Sequence, residues 1–344
     1  MFRNVVFLLF FVCLTASDSF AQQIDQLPAV ADPASAKDNS SALKQPARSR
    51  EDWTKLPVDR AILKTLVNGA SLGKADFPSY TRELLRFEWR HGDAIDVYLI
   101  KPKSVQKPRV VLYLYGFPAD TGRFMDDGWC QRATREGLAA VGFESAMTGA
   151  RFRNRPMKEW FVSELQESMG STTHDVQLII DYLAARKDLS ADQVGIFGQG
   201  SGASIAILAA AADPRIAVLD LLNPWGDWPD WLKTSPVVPE EERAKYLTPE
   251  FLQKVSVIDP VAYLPQLKDR KLRVQQIMDD TDSDTPSAAR NKIAAAAPQG
   301  KLVQYKDKAA HRQAWSATGL SGWIASQFEI EPQSIAAGPA SKQP

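Results

Sequence analysis

Val194-Gly195-Ile196-Phe197-Gly198-Gln199-Gly200-Ser201-Gly202 starts as a short apolar run and ends in a cluster of small residues. Val194 to Phe197 reads as a buried strand, and Ala203-Ser204-Ile205-Ala206-Ile207-Leu208-Ala209-Ala210 beyond the cluster reads as a buried helix. A strand that turns sharply into a helix through Gly-x-Nuc-x-Gly is a nucleophile elbow, which lifts its central residue above the sheet. The flanks are glycine because a side chain there would strike the crossing backbone. Gly198 and Gly202 occupy those flanks, but the centre is Gly200, which has no attacking atom. Centring the motif on Ser201 instead would put Gln199 at a flank that needs a small residue. It would also turn the hydroxyl about 100° around the helix from the attacking direction.

Outward from the elbow, apolar runs and helical stretches alternate. Before it, Ser171 to Lys187 forms a helix whose buried face is Val176, Leu178, Ile179, Ile180, Tyr182 and Leu183. That helix feeds the elbow strand as a right-handed crossover in a parallel sheet would. It carries His174 in its first turn, on the wrong side of the strand for a catalytic base. Earlier still, Arg109 to Tyr115 reads as a buried strand, Asp126 to Glu136 as a helix and Leu138 to Phe143 as a strand. Leu84 to Arg90 and Ala94 to Ile100 alternate around His91-Gly92-Asp93, which predicts a hairpin with His91 in its turn. After the elbow come strands at Ala217 to Leu222, Leu272 to Met278 and Leu302 to Tyr305. A helix from Arg312 to Phe328 closes the order.

Strand, elbow, helix, a late Asp and a later His resemble the α/β-hydrolase superfamily of serine esterases and peptidases over Leu84 to Phe328. The resemblance implies a mostly parallel twisted sheet, helices on both faces and a cap or lid inserted after the sixth strand. It implies a triad in the chain order elbow, acid, base. The acid would stand four residues before a helix-opening proline, which selects Asp282 in Asp279-Asp280-Thr281-Asp282-Ser283-Asp284-Thr285-Pro286; Asp280 and Asp284 are the alternatives. The base would be His311, after the last strand. The loop Tyr115-Gly116-Phe117-Pro118 matches the family's oxyanion loop, so the backbone N–H groups of Phe117 and Ser201 would hold the oxyanion. The chain departs from the pattern at Gly200, the nucleophile position, so no acyl-enzyme can form there.

Three arginines at alternate positions in Arg151-Phe152-Arg153-Asn154-Arg155 would face one way in an extended loop. Arg151 and Arg153 could hold a substrate carboxylate, or pair with Glu159 and Glu164 in a solvated loop. The long segment Asn223 to Arg270 carries Trp225, Trp228 and Trp231 at three-residue spacing; they either line an apolar pocket or pin the insert to the body. Glu51 to Lys74 has apolar residues at near-helical spacing and predicts a helix at the domain edge.

With 344 residues the chain suits one large α/β domain, at 51–328, with tails. Lys plus Arg equals Asp plus Glu at 41 each, so no global charge argues for nucleic acid. Met1 to Ala21 has the Arg3 start, the Val5 to Leu14 apolar core and the Ser19-Phe20-Ala21 cleavage site of a secretory signal. This predicts a secreted or periplasmic protein with no membrane span after cleavage. Gln22 to Arg50 is predicted to be a disordered leader and 329–344 a disordered tail. Cys130 is left as the mature chain's lone cysteine, read as a small core residue.

No cofactor is implied, because Gly195-Ile196-Phe197-Gly198-Gln199-Gly200 does not match the dinucleotide-binding spacing. No metal is implied either, because the acidic run at Asp279 to Asp284 lacks the Gly and Glu of a calcium loop. The expected partner is a small ester or peptide-like molecule. Three functions stand open: a slow hydrolase using water, a non-catalytic binding protein, and an active serine hydrolase in which a change at 200 has replaced Ser by Gly.

Overall fold

The apolar runs pair edge to edge into one twisted sheet. The computed structural model describes residues 51–63, 69–119, 121–147, 151, 162–281 and 283–329. Its strands are β1 (Ala70–Asp76), β2 (Tyr80–Arg90), β3 (Asp93–Pro102), β4 (Arg109–Leu114), β5 (Ala139–Phe143), β6 (Ser190–Gln199), β7 (Ile216–Leu222), β8 (Lys271–Ile277) and β9 (Leu302–Tyr305). They lie in the order β1-β2-β3-β5-β4-β6-β7-β8-β9. The first three pairings, β1 with β2, β2 with β3 and β3 with β5, are antiparallel, and the remaining pairings are parallel. The register aligns Val141, Leu112, Ile196, Leu219 and Leu272 in one row across five strands. All five are buried, as expected of parallel strands covered on both faces. This is the α/β-hydrolase fold that the sequence order implied, with β1 added at the antiparallel edge.

Helices α1 (Arg60–Leu63), α2 (Asp127–Thr134), α3 (Leu165–Ala185) and α4 (Ser201–Ala212) follow in chain order. Between β7 and β8 lie α5 (Trp228–Thr234), α6 (Arg243–Tyr246), α7 (Pro249–Ser256) and α8 (Pro260–Tyr263); α9 (Ser287–Ala296), α10 (Lys308–Thr318) and α11 (Gly322–Gln327) come after β8. One face of the sheet packs on α3, α4 and the segment after β7, through residues such as Ile180, Ile205, Trp231 and Leu264. The other face packs on α2 and α11, through Cys130, Ala133 and Ile324. Cys130 is fully buried, with its thiol on the Phe124 carbonyl at 3.3 Å, as a core residue should be.

Three local expectations are corrected. The stretch from Glu51 to Lys74 is not one helix: among its described residues Arg60–Leu63 is helical, and Ala70 onward becomes β1, held by its ladder to β2. An edge strand takes its stability from that ladder, so its side chains need no alternation; here they are almost all exposed. The closing helix is two, α10 and α11, because Gly319 at φ +74° ends the first. α3 begins at Leu165, which moves His174 from a first turn into the helix interior. Met1 to Ala21, Gln22 to Arg50, Arg153 and Asp282 lie outside the described residues. Among the described residues, no helix is long and apolar enough to cross a membrane.

A buried ionic cluster ties the start of the described chain to the body. Arg90, at the end of β2, donates to Glu51 at 2.5 and 2.7 Å and to Asp175 at 2.5 Å. Arg151 forks onto both Asp93 oxygens at 2.8 Å and reaches Asp175 at 2.7 Å. His174 meets the Glu51 carboxylate through Nδ1 at 2.5 Å and the Lys55 carbonyl through Nε2 at 2.7 Å. A carbonyl only accepts, so Nε2 carries a proton. Gln177 adds bonds to the Leu56 carbonyl and the Val58 amide. Buried charges are tolerated here because each meets an opposite one; removing a single partner from such a cluster costs about 3–5 kcal/mol.

Burial alone would push the Glu51 carboxyl up, but hydrogen bonds from Arg90 and His174 hold it at about 2. A depressed folded-state value means the contribution is complete above the ordinary value of 4.5 and is lost as pH falls towards about 2. A shift of that size corresponds to roughly 3 kcal/mol. Glu51→Gln should therefore lower neutral-pH stability by about 3–5 kcal/mol. It should also flatten the acid limb of a urea-denaturation series between those two pH values. An unchanged acid limb would show that the cluster does not anchor this segment.

Candidate active site

β6 delivers the chain to the elbow, and the backbone there is specialised. Gly200 has φ +55° and ψ −126°, and its N–H donates to the Leu222 carbonyl at 2.9 Å. A positive φ of this kind is uncommon for any residue with a Cβ and clusters at functional turns. The surrounding space separates the three glycines of the motif. A Cβ at residue 198 would lie 2.6 Å from the Ala203 Cα, and one at residue 202 would lie 2.0 Å from the Leu114 carbonyl oxygen. Neither flank can hold a side chain. At residue 200 the nearest atoms to a Cβ would be Trp225 Nε1 at 3.4 Å and the Gly116 Cα at 3.7 Å, ordinary contact distances. The centre of the elbow is therefore shaped for a side chain and carries none.

The loop after β4 meets this turn directly. A Cβ at Gly116 would sit 2.7 Å from the Gln199 carbonyl and 3.1 Å from the Ser201 nitrogen, so only glycine permits the approach. It brings Phe117 and Ser201 together: the Phe117 N–H donates to Ser201 Oγ at 3.0 Å. Ser201 is fully buried, and its oxygen is already an acceptor for that amide. A hydroxyl sealed from solvent cannot meet a substrate, so the geometry gives the shifted-nucleophile reading no support.

His311 lies in the first turn of α10 rather than in the loop before it. Asp307 caps the helix, accepting from the Ala310 N–H at 2.7 Å, and so starts it earlier than the apolar pattern implied. The imidazole packs edge-on to the Tyr305 ring, with centroids 5.1 Å apart. Burial lowers its pKa; the field of Asp220 opposes this and that of Arg273 adds to it. No carboxylate among the described residues hydrogen-bonds to its ring. Of the acid candidates, Asp280 is exposed and paired with Arg290. Asp284 has its pKa raised by burial, against the nearby positive charge of Lys308.

His311 and the elbow share a cleft of about 320 Å³ at the carboxyl ends of the strands. Tyr115, Gln199, Leu222, Asn223 and Ile277 line it from the sheet, and His311 from α10. Asn223, at φ +47°, accepts from the Ile277 N–H at 2.8 Å and donates its own to the Gln275 carbonyl. Those bonds lock the ends of β7 and β8. A crevice beyond the strand carboxyl ends is where open α/β sheets bind ligands.

Two expected binding groups belong to the interior instead. Arg151 is buried and committed to Asp93 and Asp175, so its charge is already neutralised and it does not hold a substrate carboxylate. Trp228 is buried with its indole N–H on the Ile258 carbonyl at 3.2 Å, and packs edge-on to Trp231. It pins the segment after β7 to the core rather than lining a pocket. Trp225 is also buried, but its indole edge borders the side-chain space at Gly200. The sequence reading passed over Arg123, Arg132 and Arg312, which line the cleft with His311. Lys308 and Arg312 stand one helical turn apart on α10, a spacing readable in the sequence; nothing in it marks Arg123.

No family model matches this chain, and no curated protein is similar to it. Solved structures are similar in fold. Acetyl xylan esterase 1 from a Thermoanaerobacterium species has a TM-score of 0.56 at 16% identity, covering 78% of this chain and 88% of that one. An acetyl xylan esterase from a Paenibacillus species has a TM-score of 0.57 at 14% identity, covering 73% and 86%. At these identities the likeness establishes the shared fold.

Alanine substitutions should separate the elbow glycines. Gly202→Ala drives a methyl into the Leu114 carbonyl and should abolish folding or cost more than about 3 kcal/mol. Gly200→Ala has room and should cost only the backbone strain of about 1–3 kcal/mol. Equal losses in urea denaturation would contradict the assignment of Gly200 as the centre of the elbow.

Proposed function

We propose that this chain, which has the α/β-hydrolase fold, is an esterase-type member of the carboxylic-ester and peptide hydrolase class that lacks its nucleophile at Gly200. The observation that carries this reading is the elbow itself. Residue 200 holds the backbone angles of a strained functional turn and has space for a side chain, yet is glycine. The fold neighbours named as esterases support the class.

In the parent chemistry a Ser oxygen attacks the acyl carbon while a histidine takes its proton and two amides stabilise the oxyanion. Here the proposed counterparts are His311 as the base and two backbone amides. Burial favours the uncharged form of His311, which suits it to accept a proton at neutral pH. Asp282 is the proposed orienting acid, since Asp280 is already paired with Arg290. The Phe117 and Ser201 amides are the proposed oxyanion donors. With no Ser oxygen, hydrolysis would require direct attack by a water beside His311. Loss of the nucleophile in such a triad costs on the order of a millionfold in turnover, or about 8 kcal/mol of barrier. Activity of the chain as it stands is therefore weak or absent.

A non-catalytic binding role is the second reading. It is favoured by the Phe117 amide, which is spent on Ser201 Oγ and not free for an oxyanion.

Gly200→Ser should raise hydrolysis of activated esters by several orders of magnitude and create a site for fluorophosphonate labelling. Adding His311→Ala should remove both gains. The acid limb of the Gly200→Ser rate profile should fall below the ordinary histidine value of about 6.5, because burial lowers the His311 pKa and the neutral imidazole is the active form. A folded Gly200→Ser variant that is inert to both reagents selects the binding protein.

Met1 to Ala21 is proposed to direct export, to the periplasm or outside the cell. N-terminal sequencing of the exported protein should then begin at Gln22; retention of Met1 on an unprocessed cytoplasmic product would reject it.

A further inference from the structure

The helical wall of the cleft beside the elbow has a composition that the hydrolase reading does not require. Arg123, Arg132, Lys308 and Arg312 all line it, and among the described residues the lining contains no Asp or Glu. Several partly or fully buried arginines elsewhere are matched with carboxylates: Arg90 with Glu51 and Asp175, Arg186 with Glu83 and Asp188, Arg273 with Asp220. Among the described residues, Arg123, Arg132 and Arg312 have no carboxylate within ion-pair distance.

Arg123 is the informative member. It is half-buried, its guanidinium lies 3.5 Å from the centre of the Tyr115 ring, and its Nε is buried without a hydrogen-bond partner. Tyr115 is itself fixed, because its hydroxyl accepts from Trp129 Nε1 at 3.0 Å. A half-buried cation held over an aromatic face, with no carboxylate among the described residues beside it, is suited to an anion entering the cleft. Phe197, Trp129 and Trp315 add flat apolar walls to the same cleft. Its volume of about 320 Å³ is at the small end for ligand sites and suits a compact ligand.

We propose that the cleft binds an aromatic carboxylate. The ring lies against the aromatic wall, and the carboxylate is taken by Arg123 with help from the rim cations Arg132 and Arg312. Resting on the esterase reading, this makes the substrate class an aromatic ester that bears a second, ionised carboxylate. The binding step itself needs no nucleophile at 200, so it can be tested apart from that reading.

The test is calorimetric titration of the full chain with benzoate, with benzamide as the neutral analogue of the same shape, and with acetate as an anion lacking the ring. Benzoate should bind at least about tenfold more tightly than either, the effect of one charge-assisted hydrogen bond. That margin should shrink as salt rises. Arg123→Gln should abolish the preference of benzoate over benzamide while leaving benzamide binding in place. If Arg123→Gln does not fold, the paired change Arg132→Gln with Arg312→Gln, both exposed on the rim, should reduce the preference severalfold. Equal binding of benzoate and benzamide by the unaltered chain, or a preference that survives loss of these arginines, overturns the proposal.

The two readings fail differently. An inert Gly200→Ser with intact, arginine-dependent benzoate binding removes the esterase and keeps the anion site. A Gly200→Ser variant that cleaves phenyl acetate and 4-carboxyphenyl acetate with equal kcat/KM, with no dependence on Arg123, keeps the esterase and removes the anion site.

Discussion

The carbonyl oxygen of Leu114 stands where the Cβ of residue 202 would be, and much of the site follows from that contact. It presses the end of β4 against the first turn of α4, so the two segments that meet at the elbow cannot drift apart. Gly116, two residues on, crosses the elbow backbone closely as well. The position of the Phe117 amide is a consequence of those approaches. Contacts between backbones have no flexible side chain to absorb a change, which makes this a fixed frame rather than an adaptable surface.

Within that frame, function depends on which atoms the side chains add. The frame supplies a turn with room at residue 200, and the sequence leaves that room unused. Ser201, one position on, spends its hydroxyl on the Phe117 amide. That hydroxyl therefore satisfies an amide that an oxyanion would otherwise claim. A backbone donor near an empty reaction centre needs some acceptor, and a buried serine beside it is an economical one. A nucleophile restored at residue 200 would meet a Phe117 amide already engaged by Ser201 Oγ.

The order of strands and the location of the elbow were legible because both rest on local pattern. Unbroken apolar runs mark strands buried on both faces, and glycines mark backbone contacts. Features set by remote partners were not legible. Arg151 looked like one of three free cations in a loop; its partner Asp93 lies 58 positions away, at the far side of a hairpin turn. Trp228 looked equally suited to a pocket or the core, and only the Ile258 carbonyl under its indole N–H decides between them. His311 was placed by order along the chain, but its helical setting depends on Asp307 capping earlier than the apolar spacing suggested. Asp282 rests on the proline spacing alone.

The distribution of charge gives the same lesson on a larger scale. A net charge of zero describes the whole chain and no part of it. At the junction of β2, β3 and α3, arginines and carboxylates cancel one another in a buried cluster that holds the N-terminal segment down. In the cleft beside the elbow, Arg123 faces an aromatic ring with no counter-charge among the described residues of the lining. The first region desolvates Arg90 and Arg151 and the second partly desolvates Arg123, and desolvation is costly unless an anion compensates it. In the first region the anion is part of the protein, so the cluster is structural and closed. In the second no carboxylate among the described residues compensates Arg123, and that difference, not the number of arginines, marks the cleft as the place for the proposed ligand.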